Sequence, residues 1–110
     1  MDDHLRKWLY DILEAINSID EYIGKNRIFK DYEENKQLRR SIEREVEIIG
    51  EAVNRIKKRN PELEIKNSHQ IIATRNWVIH AYDAVNNAII WGIVINHLPK
   101  LKIEIEYLLK

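Results

Sequence analysis

Hydrophobic spacing is the feature that most constrains how this chain can fold. Apolar residues recur every three or four positions along almost its whole length, which places them on one face of an α-helix. A first stripe consists of Leu5, Trp8, Leu9, Ile12, Ile16, Ile19 and Ile23. A second consists of Leu38, Ile42, Val46, Ile49, Val53 and Ile56. With only three glycines and two prolines, the chain also has too few turn residues for a typical all-β fold.

The residues that flank these stripes predict where the helices begin and end. We expect Asp2 or Asp3 to cap the first helix and Gly24 to adopt a left-handed conformation just after it. Asn35 is expected to cap the second helix. Asn60-Pro61 should end it, because a residue before proline is disfavoured in the helical region.

Two shorter segments complete the predicted architecture. Residues 25–34 should form one short helical turn that directs Ile28, Phe29 and Tyr32 inward. A third helix should begin near Asn67-Ser68, followed by a break at residues 83–87. A last helical stretch should kink, or split into two stacked pieces, at Pro99. Short connections favour antiparallel neighbours, so we predict an all-α domain over residues 1–110, an antiparallel bundle of four main helices.

Composition excludes several classes of function. Eighteen basic and eighteen acidic residues cancel, so the chain does not bind nucleic acid through bulk charge. The absence of cysteine excludes disulfides, thiolate zinc sites and a cysteine nucleophile. The N-terminus shows no secretory signal pattern and no apolar run approaches membrane-spanning length, so we expect a cytoplasmic protein.

Charge is nevertheless unevenly distributed along the chain. Residues 36–59 carry eight basic and four acidic side chains. A local basic surface is possible there around Lys36, Arg39, Arg40 and Arg44, which makes Arg39 and Arg40 candidates for RNA binding. The alternative is a solvated helix face with pairs such as Glu51–Arg55 at i,i+4. Charge patterning alone leaves both interpretations open.

Residues 75–82, the motif segment, carry the side chains best suited to chemistry. Arg75 offers a planar fork of donors that fits a phosphate, and His80 can move protons near neutral pH. Together they suffice to cleave a phosphodiester by attack of a ribose 2′-hydroxyl, without a metal. On one ideal helix they lie about 140° apart around the axis and roughly 7.5 Å apart along it. Two copies of the helix would therefore build a site more easily than one. The structural alternative is a helix end in which these residues only cap and pack.

Other candidate residues give weaker signals. We interpret His4, His69 and His97 as surface or capping residues, since no His/Asp/Glu set has the spacing of a helix-borne metal site. The three tryptophans, at positions 8, 77 and 91, suit core packing or base stacking. Gly50 in mid-helix suggests close approach of another backbone, either within the core or at a dimer contact.

The motif segment, Arg-Asn-Trp-Val-Ile-His-Ala-Tyr, resembles the R-x4-H-x-Y pattern of the HepT-like toxins, a branch of the HEPN superfamily. Three flanking segments are also similar to that family: residues 47–55 to its second-helix segment, residues 60–62 to the turn before the motif, and residues 91–101 to its last helix. The similarity covers nearly the whole chain in the expected order.

The resemblance implies a specific function. Such proteins are dimeric helical bundles with a metal-independent RNase cleft between the motif helices, and they need no cofactor. By position, Arg75 would bind the scissile phosphate, His80 would act as acid and base, and Asn76 would orient the site. An MntA-like nucleotidyltransferase antitoxin would attach AMP to Tyr82, as in a type VII-like toxin–antitoxin system. Asp83 departs from the usual pattern and places negative charge near the proposed phosphate site.

Two other interpretations of the motif segment remain open at this stage. The chain could be a non-catalytic subunit that binds a nucleotide or substrate for a two-component nucleotidyltransferase. It could also be a plain helical dimerisation module.

Overall fold

The computed structural model describes residues 1–80 and 86–110 and, at position 80, the backbone alone. All regular secondary structure in these ranges is helical, which confirms the predicted all-α class for them. In chain order the elements are α1 (Asp3–Ile23), α2 (Phe29–Glu34), α3 (Lys36–Arg59), α4 (Ser68–His80), α5 (Asn87–Gly92), a π-helical segment (Ile93–His97) and α6 (Leu98–Leu108). None of the helices in these ranges has both the length and the apolar character needed to cross a membrane.

The predicted helix boundaries of α1 and α3 are confirmed. The Asp2 carboxylate accepts a hydrogen bond from the Leu5 backbone N–H at 2.8 Å and so caps α1. Gly24 follows the helix with a positive φ of 70°. Asn35 caps α3 in the same way as Asp2 caps α1, with its side-chain oxygen 3.0 Å from the backbone nitrogen of residue 38. Asn60 ends α3.

The short helical turn predicted over residues 25–34 is present as α2. Tyr32 is completely buried and its ring centroid lies 5.2 Å from that of Trp91. The inward orientation predicted for Ile28 is wrong, since this side chain is 52% exposed. Ile28 precedes the first turn of α2 with an extended backbone. It therefore does not lie on the helix face that carries Tyr32 into the core.

The C-terminal stretch is irregular just before Pro99, but it does not split there into two stacked pieces, since its helical segments follow one another directly. Helix α5 is capped by Asn86, whose side-chain oxygen accepts hydrogen bonds from two backbone N–H groups. It continues without a loop into the π-helical segment and then into α6, where Pro99 lies in the first turn. Proline has no N–H to donate to the preceding turn, and a wider π turn accommodates such a missing bond. The predicted break over residues 83–87 lies mostly outside the described residues.

Helix α3 is the element on which the candidate site depends. It packs extensively against both α1 and α4, while α6 packs against α1. Aliphatic side chains at helical spacing form the core between these helices, among them Leu9, Ile12, Ile16, Ile42, Ile49, Val53, Ile56, Val78 and Ile105. One face of α3 thus remains open between α1 and α4.

Candidate active site

A close approach between α3 and α4 fixes the start of the motif segment. A Cβ atom added at Gly50 would overlap the Cβ of Arg75 and lie 2.7 Å from its Cγ. Glycine is therefore the residue that lets α4 pack this tightly on α3. The close approach that the sequence suggested at Gly50 is made within the chain, by the motif helix.

Two hydrogen bonds hold the guanidinium of Arg75. Its Nη2 donates to Glu51 Oε2 at 2.6 Å, and its Nη1 donates to Asn76 Oδ1 at 2.8 Å. The Arg75 side chain is 25% exposed, and its Nε is buried with no acceptor among the described residues. The bonds go to a carboxylate and an amide oxygen, so the interpretation of Arg75 as a cap for helix carbonyls is wrong.

Arg75 lines an open cleft of about 320 Å³ over the free face of α3, which we call the arginine cleft. Its charged and aromatic lining residues are Trp8 and Asp11 from α1, Arg44, Glu47, Glu51 and Arg55 from α3, and Arg75 from α4. The three arginines are matched by three carboxylates. A phosphate that enters this cleft must therefore compete with carboxylates for the arginine donors.

The remaining residues of the motif segment are placed only in part. Asn76 contacts Arg75 through its side-chain oxygen, which accepts the hydrogen bond from Nη1. His80 is the last residue of α4, and the structure describes only its backbone. Tyr82 and Asp83 lie outside the described residues as well. Because α4 is a regular helix from residue 68 to residue 80, the separation of about 140° and 7.5 Å between positions 75 and 80 holds for the backbone.

The two predicted RNA-binding candidates are not part of the arginine cleft. Arg39 donates a hydrogen bond to the backbone carbonyl of Glu33. Arg40 pairs with Glu43 at 3.1 Å. Arg40 therefore fits the alternative of local pairing along α3, whereas the contact of Arg39 joins α3 to a backbone carbonyl in α2.

The cleft instead contains two arginines that the sequence did not single out as site residues. Arg44 pairs with Glu47 at 3.1 Å, and the Nε of Arg55 donates to Glu51 Oε1 at 3.0 Å. The i,i+4 pair Glu51–Arg55 was visible in the sequence. That the same carboxylate also binds Arg75 was not, because this contact joins two helices.

The histidines at positions 4, 69 and 97 lie outside the arginine cleft, and the Nδ1 of His97 is buried with no hydrogen-bond partner among the described residues. His69 is exposed on α4, with the Lys57 Nζ 3.2 Å from its ring. His97 is half-buried in the π-helical segment rather than on the surface. Within residues 1–80 and 86–110, no three His, Asp or Glu side chains lie close enough together to hold a metal ion. Among the described residues, the arginine cleft is thus the charged cluster that includes a residue of the motif segment.

Comparison with known proteins identifies the family. The sequence matches the family described as Ribonuclease HepT-like over residues 12–108. It is 33% identical over 106 residues to "Putative RNase MJ1380" of Methanocaldococcus jannaschii, covering 93% of this chain and 94% of that protein. It is also 33% identical over 109 residues to "Probable ribonuclease HepT" of Thermococcus cleftensis, covering 96% of each. No solved structure matches the chain. Since the family match spans nearly all of the sequence and includes the cleft arginine, this chain belongs to the HepT-like ribonuclease family.

Proposed function

We propose that this protein is a ribonuclease that cleaves RNA without a metal, through Arg75 and His80. The observation that carries the proposal is the guanidinium of Arg75. It lines an open cleft with two of its donors engaged by fixed acceptors, on the same helix as a histidine. The names of the relatives, which describe ribonucleases, support the same activity.

The chemistry follows from these two groups. The ribose 2′-oxygen attacks the adjacent phosphorus, and the bond from phosphorus to the 5′-oxygen breaks. The products are a 2′,3′-cyclic phosphate and a free 5′-hydroxyl. An imidazole at position 80 takes the proton of the 2′-hydroxyl or donates one to the leaving oxygen. Arg75 stabilises the negative charge that develops on the phosphate oxygens.

A homodimer would complete the site. Positions 75 and 80 lie on different faces of a regular helix. Two motif helices that meet across a two-fold axis would supply an arginine from one copy and a histidine from the other. With two histidines in one cleft, one could act as the base and the other as the acid.

RNA cleavage in EDTA tests the proposed activity. Wild-type protein should cleave bulk tRNA, whereas Arg75→Ala and His80→Ala should reduce the rate at least about 100-fold and keep their helical circular-dichroism spectra. His69→Ala is the matched control, because His69 lies on the same helix but contacts Lys57 and not the cleft. Its rate should equal that of the wild type. If folded, unmodified wild type leaves RNA intact, the nuclease is refuted and the non-catalytic nucleotide-binding subunit becomes the better hypothesis.

We also propose that the protein is the toxin of a toxin–antitoxin pair, and that a nucleotidyltransferase of the MntA-like type silences it by attaching AMP to Tyr82. Tyr82 follows His80 by two residues, so the added phosphate would compete with RNA for Arg75. Incubation with ATP and a nucleotidyltransferase encoded beside this chain should add the mass of one AMP and abolish cleavage. Tyr82→Phe should show no mass gain and should remain active in the presence of the antitoxin. An unchanged mass of the wild type would contradict this mode of control.

A further inference from the structure

We propose that Glu51 is a positioning residue for the ribonuclease site, holding the guanidinium of Arg75 in the orientation that receives the scissile phosphate. The inference rests on the proposed function and adds a residue from a different helix to the machinery. Glu51 itself does not react. It acts through Arg75, and its contribution is the direction in which the remaining donors of that arginine point.

The contact between Glu51 and Arg75 is short and joins opposite charges. The distance from Arg75 Nη2 to Glu51 Oε2 is 2.6 Å, slightly shorter than the roughly 2.7–2.9 Å of charge-assisted N–H···O hydrogen bonds, which are about twice as strong as neutral ones. Arg75 is three-quarters buried, so solvent screens this pair less than it would screen a pair on the open surface. The contact therefore restrains the orientation of the guanidinium.

Glu51 is itself held in place. Its second oxygen, Oε1, accepts a hydrogen bond from the Nε of Arg55 at 3.0 Å, one helical turn along α3. The preceding residue, Gly50, sets the distance between α3 and α4. A carboxylate with one oxygen bound by one arginine can use its other oxygen to orient a second arginine.

Counting donors shows what this arrangement leaves for a substrate. An arginine has five N–H groups. One goes to Glu51 and one to Asn76, and the Nε–H of Arg75 is shielded from solvent. One N–H on each terminal nitrogen has no acceptor among residues 1–79 and 86–110. These two are the donors that a phosphate oxygen in the arginine cleft can use.

The opposite interpretation treats Glu51 as a competitor that a phosphate must displace from Arg75. The two interpretations predict opposite effects on RNA cleavage when Glu51 is removed. If Glu51 positions Arg75, its removal slows the chemical step. If Glu51 competes with the phosphate, its removal tightens RNA binding and raises kcat/KM.

Single-site variants of Glu51 test the proposal in the full-length protein. Glu51→Ala should lower kcat for RNA cleavage in EDTA about 10- to 100-fold, with a KM change below about 3-fold, because a displaced catalytic group costs mainly in the transition state. Glu51→Gln keeps an oxygen acceptor at this position and should recover most of the rate. An unchanged kcat, or a higher kcat/KM, in Glu51→Ala would overturn the proposal.

Glu47→Ala is the matched control. Glu47 lies one turn before Glu51 on α3 and lines the same cleft, but it pairs with Arg44 rather than Arg75. Its removal changes the charge of the cleft by the same amount but leaves the contact to Arg75 in place, so kcat should fall clearly less than in Glu51→Ala. If kcat falls equally in Glu47→Ala and Glu51→Ala, the effect arises from the charge of the cleft, and a positioning role for Glu51 is refuted.

A measurement without RNA separates this proposal from the proposed function. In ¹⁵N NMR spectra of the free protein, rotation of the Arg75 guanidinium should be slowed in the wild type and in Glu47→Ala, and fast in Glu51→Ala. If wild-type protein fails to cut RNA, the ribonuclease assignment fails and the spectra still decide whether Glu51 holds Arg75. Equally slow rotation in Glu51→Ala would refute the positioning role even in an active enzyme.

Discussion

Replacing Gly50 by alanine should damage the site from a position that touches no substrate. The new Cβ would overlap the Cβ of Arg75 and lie 2.7 Å from its Cγ, whereas ordinary contact begins at 3.4 Å. The atoms it meets are the first atoms of the Arg75 side chain, which are fixed to the α4 backbone. Helix α4 must therefore move by at least about 0.7 Å to relieve the Cγ contact alone. That movement shifts the guanidinium away from Glu51.

The expected change in the free energy of unfolding of Gly50→Ala is the difference between two opposing contributions. Overpacking a tight contact costs about 1–3 kcal/mol, and replacing a mid-helix glycine by alanine returns about 1 kcal/mol. The net expectation is a destabilisation of about 1 kcal/mol, or a Tm about 5 °C lower for a domain of this size. Because a displacement near 1 Å costs about 100-fold in rate, RNA cleavage should fall much more than stability does.

Gly92→Ala is the internal control for this experiment. Gly92 has helical dihedral angles, and no described residue has an atom within 4 Å of a Cβ placed there. This variant should gain about 1 kcal/mol and about 5 °C in Tm, with unchanged cleavage. Thermal unfolding of the two variants should thus differ by about 10 °C. Equal Tm values together with full activity in Gly50→Ala would refute the close-packing argument.

Three further predictions concern titrating groups. Burial raises the pKa of Tyr32 above its ordinary value of 10.0, and its hydroxyl has no partner among the described residues. Tyr32→Phe should therefore stabilise the fold by about 1 kcal/mol in denaturant titrations at pH 7. That advantage should grow above pH 10, where the unfolded tyrosine ionises first; a smaller advantage there would contradict the raised pKa. The hydrogen bond from the backbone N–H of Leu5 lowers the pKa of Asp2 below 3.8. The charged cap therefore stabilises α1 fully above pH 3.8, and this stabilisation is lost as the pH falls through the lowered pKa. The Tm difference between wild type and Asp2→Ala should accordingly vanish in strong acid, and one that persists would argue against a charged cap. The hydrogen bond and negative charge of Glu45 raise the pKa of Tyr22, so Glu45→Gln should shift its ultraviolet titration towards pH 10, and an unshifted curve would contradict this cause.

Most of what the sequence predicted correctly depends on neighbours within one helical turn. Asp2 and Asn35 each cap a helix by accepting a hydrogen bond from the backbone N–H three residues further along the chain. The stripes of apolar residues predicted the buried faces of α1 and α3, since helical periodicity needs no knowledge of what packs opposite. The prediction failed at Ile28, where the chain enters α2 in an extended conformation and the helical period does not apply.

The sequence by itself determined the helices α1 and α3 with their ends, and the presence of an arginine and a histidine on α4. Only the tertiary structure decided which carboxylate Arg75 meets. Glu51 is 24 residues away along the chain, and in sequence it is equivalent to Glu47 one turn earlier, which pairs with Arg44 instead. The difference arises from Gly50, because the missing side chain lets α4 approach α3 at that one level of the helix. Local patterns fix the conformation of each helix, whereas the packing between helices fixes which side chains meet.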